Sequence, residues 1–502
     1  MWGCTRTPSS PVVPTSPRSA LWDTPLAREL RATLRLAGPV VAAQLAHISM
    51  SFVDTVMVGR LGPEALAGVA LGHTAFFFFA IVGMGTIQAV SPMVSQAEGA
   101  RTPEVAARSV RQGLWLAVGL SLPIFWALSY LEPLLVWSGQ SAVATEGAMA
   151  YLRAMRWGIL PFLGYAALRS FFEGLSRPMP VTLISLSGVA VNVAANEVLM
   201  FGRLGAPALG LAGTGWASVL VFTCLFALLA LLAATRAPFA RYEVFSRLRG
   251  PDPTYLRELL RIGAPMGTSR GLESSLFTVT TAMMGTLGTA ALAAHQVALQ
   301  CAAFTFMVPL GIGMAGSVRV GRAAGAGDPT GVRRAGSVAM ALATGVMALA
   351  AAGFLLFPRA LTSLYLDLSV PANQEVAGLA ATLLGIAAVF QLVDGLQVAA
   401  HGALQGLKDT RVPMGIAAIT YWGLGLPAGY LWGVRGGGGP EALWWGLVLG
   451  LTAAAVLMTG RFYRQAGPLA ETVDPSPASP SVPEAAPAGA TPGTDPAPAP
   501  EE

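Results

Sequence analysis

Long runs of apolar residues, broken by short polar segments, extend over most of the chain. A helix needs about 20 mainly apolar residues to cross the hydrocarbon core of a bilayer. The runs predict spans near 36–58, 66–91, 113–131, 149–171, 179–201, 209–233, 259–284, 290–316, 335–356, 375–402, 412–433 and 441–463. The pattern therefore predicts an all-α polytopic membrane protein with about twelve transmembrane helices.

The composition agrees with this class. The chain has 502 residues, of which 54% are hydrophobic and only 11% charged, and its mean hydropathy is +0.60. A soluble protein carries about 25% charged residues. The net charge of +5 therefore bears on membrane orientation rather than on nucleic acid. The three cysteines fit neither a metal-site spacing nor a disulfide framework.

Changes in composition divide the chain. Residues 1–29 are rich in Ser, Pro and Thr, and residues 465–502 are Pro/Ala-rich and acidic, so we predict that both ends are disordered. A basic linker at 234–258 separates two apolar halves. We expect a first six-helix bundle over 30–233 and a second over 259–464.

Arginines gather in alternate connections between the spans. Arg31 and Arg35 precede the first span, and five arginines lie in the 234–258 linker. The intervening connections hold single arginines such as Arg60 and Arg203. Because positive charge is retained inside the cell, the first set of connections should be cytoplasmic. We therefore predict a multi-pass protein of the cell (inner) membrane with both termini in the cytoplasm.

The two halves repeat one another. The segment "LRLAGPVVAAQLAHISMSFVDTVMVGRLG" aligns without a gap on "LRIGAPMGTSRGLESSLFTVTTAMMGTLG", with Arg35 on Arg261 and Pro39 on Pro265, an offset of 226 residues. A second match joins "FFEGLSRPMPV" to "ALQGLKDTRVP". Six helices return the chain to the same side, so the repeat is parallel, which is one plan of secondary transporters. A duplicated scaffold without transport is the alternative.

Asp54 lies inside the first apolar span. A lone carboxylate in lipid or in a protein interior costs several kcal/mol unless it is protonated or given a partner. Asn192 and Asn196 are four residues apart and share one face of a predicted helix, so their amides are the candidate partners. We predict that these three residues couple transport to a cation or proton. A hydrogen bond that only joins helices is the alternative.

The second half carries its own acids. Arg270 lies three residues before Glu273 and can form an ion pair with it, which would only neutralise charge. Asp394 shares one helix stripe with other polar residues, and we assign Glu273 and Asp394 to ion coupling. A tentative substrate cavity would be lined by Phe390, Gln391, Gln397, His401, Gln296 and Gln300.

The stretches "VDTVMVGRLGPEALAGVALG", "NVAANEVLMFG" and "GALQGLKDTRVP" resemble the multidrug and toxic compound extrusion (MATE) family, and within it the bacterial NorM-like branch. The resemblance runs from about residue 30 to residue 464. It implies cation-coupled export of drugs or other organic compounds by two lobes that alternate between outward- and inward-facing states.

Carried over by motif, the family's coupling acids fall on Asp54, Glu273 and Asp394, and the partners of the first acid fall on Asn192 and Asn196. The coupling ion is H+ or Na+, and a Na+ site at Glu273 and Asp394 stays open. Two departures count against that site. Phe390 stands where some members have a tyrosine, and Arg270 lies one turn from Glu273.

We therefore expect an antiporter of organic, cationic and amphipathic compounds. It should act as a monomer in the lipid bilayer, with no cofactor and no nucleic-acid partner. A flippase of lipid-linked precursors is the alternative, although it should line its cavity with arginines, and only Arg270 and Arg169 lie within spans. A membrane enzyme is not supported, since no Ser/His/Asp arrangement, HExxH helix or phosphate-binding glycine loop is present.

Overall fold

The structure is a computed structural model, and it describes residues 24–246, 250–371 and 373–466. Its long helices are α1 (Pro25–Gly59), α2 (Pro63–Gly99), α3 (Pro103–Ser129), α4 (Ala142–Met155 and Ile159–Gly174), α5 (Met179–Leu199), α6 (Gly210–Thr235), α7 (Pro253–Thr286), α8 (Thr289–Gly325), α9 (Pro329–Leu356), α10 (Asn373–Gly406), α11 (Arg411–Ala417 and Leu426–Gly429, each followed by a π-helical segment) and α12 (Gly439–Ala466). The prediction of an all-α protein with twelve long helices is confirmed.

The helices extend beyond the apolar runs that predicted them. α1 begins at Pro25, because the Thr24 hydroxyl accepts a hydrogen bond from the Ala27 N–H and caps the helix. Residues 25–29, predicted as part of a disordered end, are therefore helical, and α12 likewise continues to Ala466. The rest of the predicted disordered ends lies outside the described residues.

Among the described residues, nine helices are long and apolar enough to cross a membrane. The other three predicted spans do not meet this criterion of length and hydropathy, each for a local reason. α4 is interrupted by a 3₁₀ turn at Arg156–Gly158, and α11 changes to π-helical geometry over Ala418–Gly425 and Tyr430–Arg435. α7 is continuous but carries Arg270 and Glu273 within it.

The internal repeat is visible in the backbone. Positive φ angles recur at Gly62 (112°) and Gly288 (121°), 226 residues apart. They recur again at Ser176 (59°) and Lys408 (60°), 232 residues apart, which is the offset of the second matching motif. The repeat is therefore structural as well as sequential, and positions in the two halves can be compared one with another.

Two hydrophobic cores organise the helices. The first contains residues from Met50 to Met266, and the second contains residues from Leu276 to Ala466 together with Leu36 and Ala37. The start of α1 thus packs in the second core, and the start of α7 packs in the first. We call α1–α6 the first lobe and α7–α12 the second lobe, and α1 and α7 are the helices shared between them.

The lobes touch near the end at which α1 begins and α12 ends, here called the terminal face. A Cβ placed on Gly85 of α2 would lie 2.8 Å from Gly267 Cα of α7, and a Cβ on Gly99 would lie 2.9 Å from the Ala326 backbone nitrogen. At the opposite end, here called the far face, a Cβ added to Gly59 would meet open space. The two lobes are therefore in contact near the terminal face.

Candidate functional site

The first lobe encloses a cavity of about 330 Å³. Helices α1, α2, α4, α5 and α6 form its wall, and three apolar side chains of α8 (Met307, Leu310 and Met314) complete it from the second lobe. Much of the lining is methionine and aromatic, which suits varied apolar ligands because methionine adapts its shape. Residues from both lobes line the cavity, so its shape depends on how the lobes are placed relative to one another.

Asp54 lies at this cavity and is held by two amides. Asn192 Nδ2 donates a hydrogen bond to Asp54 Oδ1 over 2.9 Å, and Asn196 Nδ2 donates to the same oxygen over 2.7 Å. The two asparagines lie one turn apart on α5, which presents both amides to α1. The structure thus brings together the three residues that the sequence singled out in the first half.

The oxygen atoms of the two amides have no described hydrogen-bond donor beside them. Asn192 Oδ1 and Asn196 Oδ1 are both buried, and neither accepts a hydrogen bond within the described residues. An unpaired buried acceptor costs about 1–3 kcal/mol. A proton carried by Asp54 would supply a donor to one of these oxygens after rotation of that amide. Both amide oxygens are therefore buried acceptors beside the carboxyl, and each can receive a further hydrogen bond.

Four polar residues of α1 form a stripe that faces the cavity, and each has a partner on another helix. Gln44 Oε1 accepts from Arg169 of α4, and a hydrogen bond of 3.3 Å joins His47 Nε2 to the Tyr165 hydroxyl. Ser51 and His73 of α2 are joined over 3.3 Å. Asp54 completes the stripe, so α1 is bound to α2, α4 and α5 by polar contacts.

Arg169 and Glu173 form a buried ion pair at the end of the cavity nearer the terminal face. The exposed fractions are only 8% for Arg169 and 3% for Glu173, and Arg169 Nε donates to Glu173 Oε1 over 2.8 Å. The other side of the guanidinium donates to Gln44 over 2.7 Å. Breaking such a buried pair by removing one partner typically costs about 3–5 kcal/mol, because the other charge is left uncompensated.

The second lobe contains a separate polar cluster. Arg270 Nη1 lies 3.4 Å from Glu273 Oε2 on α7, and both groups are within electrostatic range of Asp394 on α10. Asp394 is only 5% exposed. No described cationic side chain forms an ion pair with it. Three further buried atoms, Gln391 Oε1, His401 Nε2 and Tyr421 Oη, have no hydrogen-bond partner among the described residues.

The tentative substrate residues of the second half separate into two groups. Phe390 is buried and packs against Phe277 and Trp444. Gln391 is buried and donates to the Thr305 hydroxyl, and Gln397 is buried beside Met458. His401 on α10 is half-buried, whereas Gln296 and Gln300 are exposed on α8. The cavity of the first lobe is lined by none of these residues, so their assignment to a substrate cavity stays a prediction.

Several cavity residues were not among the candidates from the sequence. Arg169 and Glu173 have the i, i+4 spacing of a helical ion pair inside an apolar run, and this signal was available. His73 and Tyr165 had no comparable signal, because their partners come from distant positions in the chain. Glu197, by contrast, lies near the far face and pairs with Arg203 over 3.0 Å.

The chain matches known proteins over most of its length. Residues 39–198 and 265–431 match the MatE family model. A protein of Mesorhizobium japonicum named "Probable multidrug resistance protein NorM" is 43% identical over 440 residues, which cover 87% of this chain and 94% of that protein. A protein of the same name from Pseudomonas aeruginosa is 41% identical over 434 residues, covering 86% of this chain and 89% of that protein.

Solved structures give the same fold. The eukaryotic MATE transporter AtDTX14 superposes with a TM-score of 0.78 at 20% identity, covering 89% of this chain and 99% of that one. A multidrug resistance MATE family transporter of the MOP superfamily, described as outward-facing, gives a TM-score of 0.80 at 20% identity and covers 88% of this chain and 96% of that one. The family match and the sequence relatives together confirm the resemblance drawn from the motifs: this chain belongs to the MatE family and is a multi-pass membrane transporter, not an enzyme.

Proposed function

We propose that the protein is a secondary active antiporter that exports organic compounds, mostly cationic and amphipathic, in exchange for H+ or Na+ by alternating access. The observation that carries this proposal is the Asp54 carboxyl, held by Asn192 and Asn196 at a cavity lined with methionine and aromatic side chains. A titratable group on the wall of an apolar cavity can sense a cation and change the cavity around it.

Coupling follows from the two charge states of Asp54. Ionised, the carboxylate accepts both amide hydrogen bonds and leaves a net negative charge that favours a cationic ligand in the cavity. Neutralised by a proton or a bound cation, it no longer attracts that ligand. An ion that binds one conformation better than the other shifts the population by its differential affinity. Loading Asp54 from outside would therefore favour release of the exported compound.

The arrangement of the lobes supports alternating access. The lobes are in contact near the terminal face, where Gly99 of α2 approaches the backbone at the end of α8. The helices shared between the lobes, α1 and α7, carry Asp54 and Glu273 respectively. A change of charge on either acid would act on a helix that contacts both lobes, which provides a physical route from ion binding to lobe movement.

The cavity favours an antiporter over a flippase of pyrophosphate-linked precursors. Arg169 is the arginine of the first-lobe cavity, and its guanidinium already donates to Glu173 and Gln44. A pyrophosphate group would have to displace Glu173 at the cost of burying an unpaired carboxylate. The multidrug resistance named for the NorM relatives is consistent with export of varied organic compounds.

We place the protein in the cell (inner) membrane with the terminal face toward the cytoplasm, which follows from the arginine distribution. The segment before α7 would then be cytoplasmic, and Ser246 on it is exposed. A cysteine at Ser246 should react with an impermeant maleimide in inside-out vesicles and not in intact cells. Labelling in intact cells would reverse the orientation and leave the family assignment untouched.

The direct test of function is efflux from proteoliposomes. Purified protein should drive a fluorescent organic cation against its gradient when a pH gradient or a sodium gradient is imposed, and Asp394→Asn should lower that rate at least about tenfold while the protein remains folded. Asp367→Asn, the same substitution at an exposed loop residue, is the matched control. Equal efflux from Asp394→Asn and wild type would return Asp394 to a structural role.

A further inference from the structure

Each lobe holds one arginine on one helix of an equivalent pair. The pair is α1 and α4 in the first lobe and α7 and α10 in the second. With the 226-residue offset, Gln44 of α1 corresponds to Arg270 of α7, and His47 corresponds to Glu273. With the 232-residue offset, Arg169 of α4 corresponds to His401 of α10. The guanidinium therefore comes from α4 in the first lobe and from α7 in the second.

In both lobes the arginine neutralises a glutamate of its own helix. Arg169 pairs with Glu173 over 2.8 Å, and Arg270 approaches Glu273 to 3.4 Å. The other acid of each polar cluster is an aspartate, and within the described chain neither Asp54 nor Asp394 forms an ion pair. Each cluster thus contains one glutamate with a resident cation and one aspartate without one.

We propose that Arg270 occupies the place that a metal cation would take beside Glu273, so that the second lobe excludes Na+. This inference rests on the proposed antiport and specifies its coupling ion. A fixed guanidinium repels a second cation in a site of low dielectric constant, where the repulsion is poorly screened. A proton avoids this repulsion, because it neutralises the carboxyl covalently instead of adding a separate positive ion.

The other groups around Asp394 come from α7, α10 and α11. The charges of Glu273 and Arg270 on α7 act on Asp394, and the charges of both acids act on Tyr421 of α11. His401 lies on the helix of Asp394, two turns after it. Phe390, one turn before Asp394, contributes a ring without an oxygen and packs against Phe277 and Trp444. Hard cations require several oxygen ligands, and Gln391 Oε1 and Tyr421 Oη are present beside the two carboxylates, so the fixed charge of Arg270 is the feature that disfavours Na+.

The chain itself supplies the substitutions for a test. Arg270→Gln installs the residue that the first lobe has at the equivalent position, and it removes the guanidinium while keeping a polar side chain of similar length. Arg270→Lys keeps a cation at the site. Arg270→Gln combined with His401→Arg moves the guanidinium to α10, as the first lobe has it on α4. Measuring all variants in an Asp54→Asn background removes the carboxyl of the first lobe from the readout.

The measurement is equilibrium binding of radioactive Na+ to the purified full-length protein at pH 8. Protein with Arg270 intact should show no saturable binding up to the highest Na+ concentration tested. The Kd of Arg270→Gln for Na+ should lie at least about tenfold below that concentration. Arg270→Lys and the Arg270→Gln/His401→Arg double variant should both behave like the parent. Saturable binding with Arg270 intact, or a folded Arg270→Gln protein that gains none, would overturn the inference.

Efflux distinguishes this inference from the proposed function. Wild-type proteoliposomes should export a fluorescent organic cation on a pH gradient and not on a sodium gradient of equal magnitude. Export driven by sodium alone would refute proton selectivity and leave antiport standing. No export on either gradient would refute the antiport proposal, and the Na+-binding experiment would still decide whether Arg270 excludes the metal ion.

Discussion

The Glu29 carboxylate, near the start of α1, accepts two hydrogen bonds from the Arg319 guanidinium, near the end of α8. The Arg319 Nε donates to one carboxylate oxygen over 2.8 Å, and Nη2 donates to the other over 2.6 Å. A bidentate pair of this kind is among the stronger polar contacts in proteins. It joins the two lobes at the terminal face, where they must separate if the transporter alternates.

Glu29→Gln should therefore shift the conformational equilibrium toward the state that is open on the terminal face. The substitution keeps the shape of the side chain and removes its charge, at a cost of about 1.5–3 kcal/mol to the closed state. This corresponds to a population change of roughly tenfold or more. Spin labels at Glu64 and Thr289, both at the far face, should report a shorter distance distribution by double electron–electron resonance.

The charge-exchanged protein, with Glu29→Arg and Arg319→Glu together, is the control for this pair. It should recover part of the wild-type distance distribution, since opposite charges again face each other across the lobes. A Glu29→Gln protein whose distribution matches that of wild type would mean that the pair does not hold the lobes together.

Gly85→Ala should act on the same equilibrium through packing. The added methyl group would lie 2.8 Å from the Gly267 backbone, which is closer than carbon atoms approach without strain, so α2 and α7 would be forced apart. Gly119→Ala on α3 is the matched control, because its methyl group would meet nothing within 4 Å. The spin-label distance should change for Gly85→Ala only, and equal behaviour of the two variants would exclude a role for this crossing.

Asp328 caps α9 outside the spans, and its stabilising contribution should depend on pH. The Gly331 N–H, which donates to the carboxylate over 2.8 Å, holds the pKa of Asp328 below its usual value, and the Thr330 hydroxyl adds to this effect. A carboxyl with a lowered pKa stabilises the folded state fully above the unfolded-state pKa of about 3.9, and the contribution is lost as the pH falls through the folded-state pKa.

Asp328→Ala should accordingly lower the free energy of unfolding by about 1 kcal/mol at pH 7. Wild type and variant should converge as the solution is acidified below about pH 4. Unfolding by SDS titration of the purified protein at both pH values measures the difference. Asp328→Asn retains a side-chain acceptor and should lose less; a loss as large as that of alanine would assign the effect to charge alone.

Features that depend on residues close together in the sequence were easier to predict than contacts between residues far apart in it. The helices followed from apolar runs, which are local, and the pairing of Asp54 with Asn192 and Asn196 could be anticipated because amides one turn apart in an apolar helix require a polar partner. The contact between Gln44 and Arg169 could not, since 125 residues separate them and several polar groups could have satisfied either one. Pairing at this range is decided by helix packing.

The irregular backbone of α11 is a second feature that the sequence did not predict. Hydrophobic periodicity predicted one span near 412–433, but α11 is π-helical over two segments, and this geometry determines where Tyr421 lies relative to Glu273 and Asp394. Apolar composition alone does not distinguish an α-helix from a π-helix, because both bury the same side chains. The polar cluster of the second lobe was therefore only partly visible in the sequence.

Asp54→Asn should abolish ion-driven export while leaving the cavity able to bind its ligand. The amide matches the carboxyl in size, so the apolar wall formed by residues such as Met50 and Phe77 should be unchanged. What is lost is the charge that Asn192 and Asn196 hold in place and that a proton or cation would neutralise during the cycle. Efflux on an imposed ion gradient should fall at least about tenfold.

Ligand binding to detergent-solubilised Asp54→Asn, followed by fluorescence polarisation of an organic cation, separates coupling from binding. A loss of charge in the cavity should weaken binding of a cationic ligand by about tenfold at most, because the ligand also gains from apolar contacts, and it should barely affect a neutral ligand of the same shape. Asp54→Glu, which keeps the charge on a longer side chain, should retain measurable export. A variant that binds normally and still exports on the gradient would show that Asp54 joins helices and does not couple ions to transport.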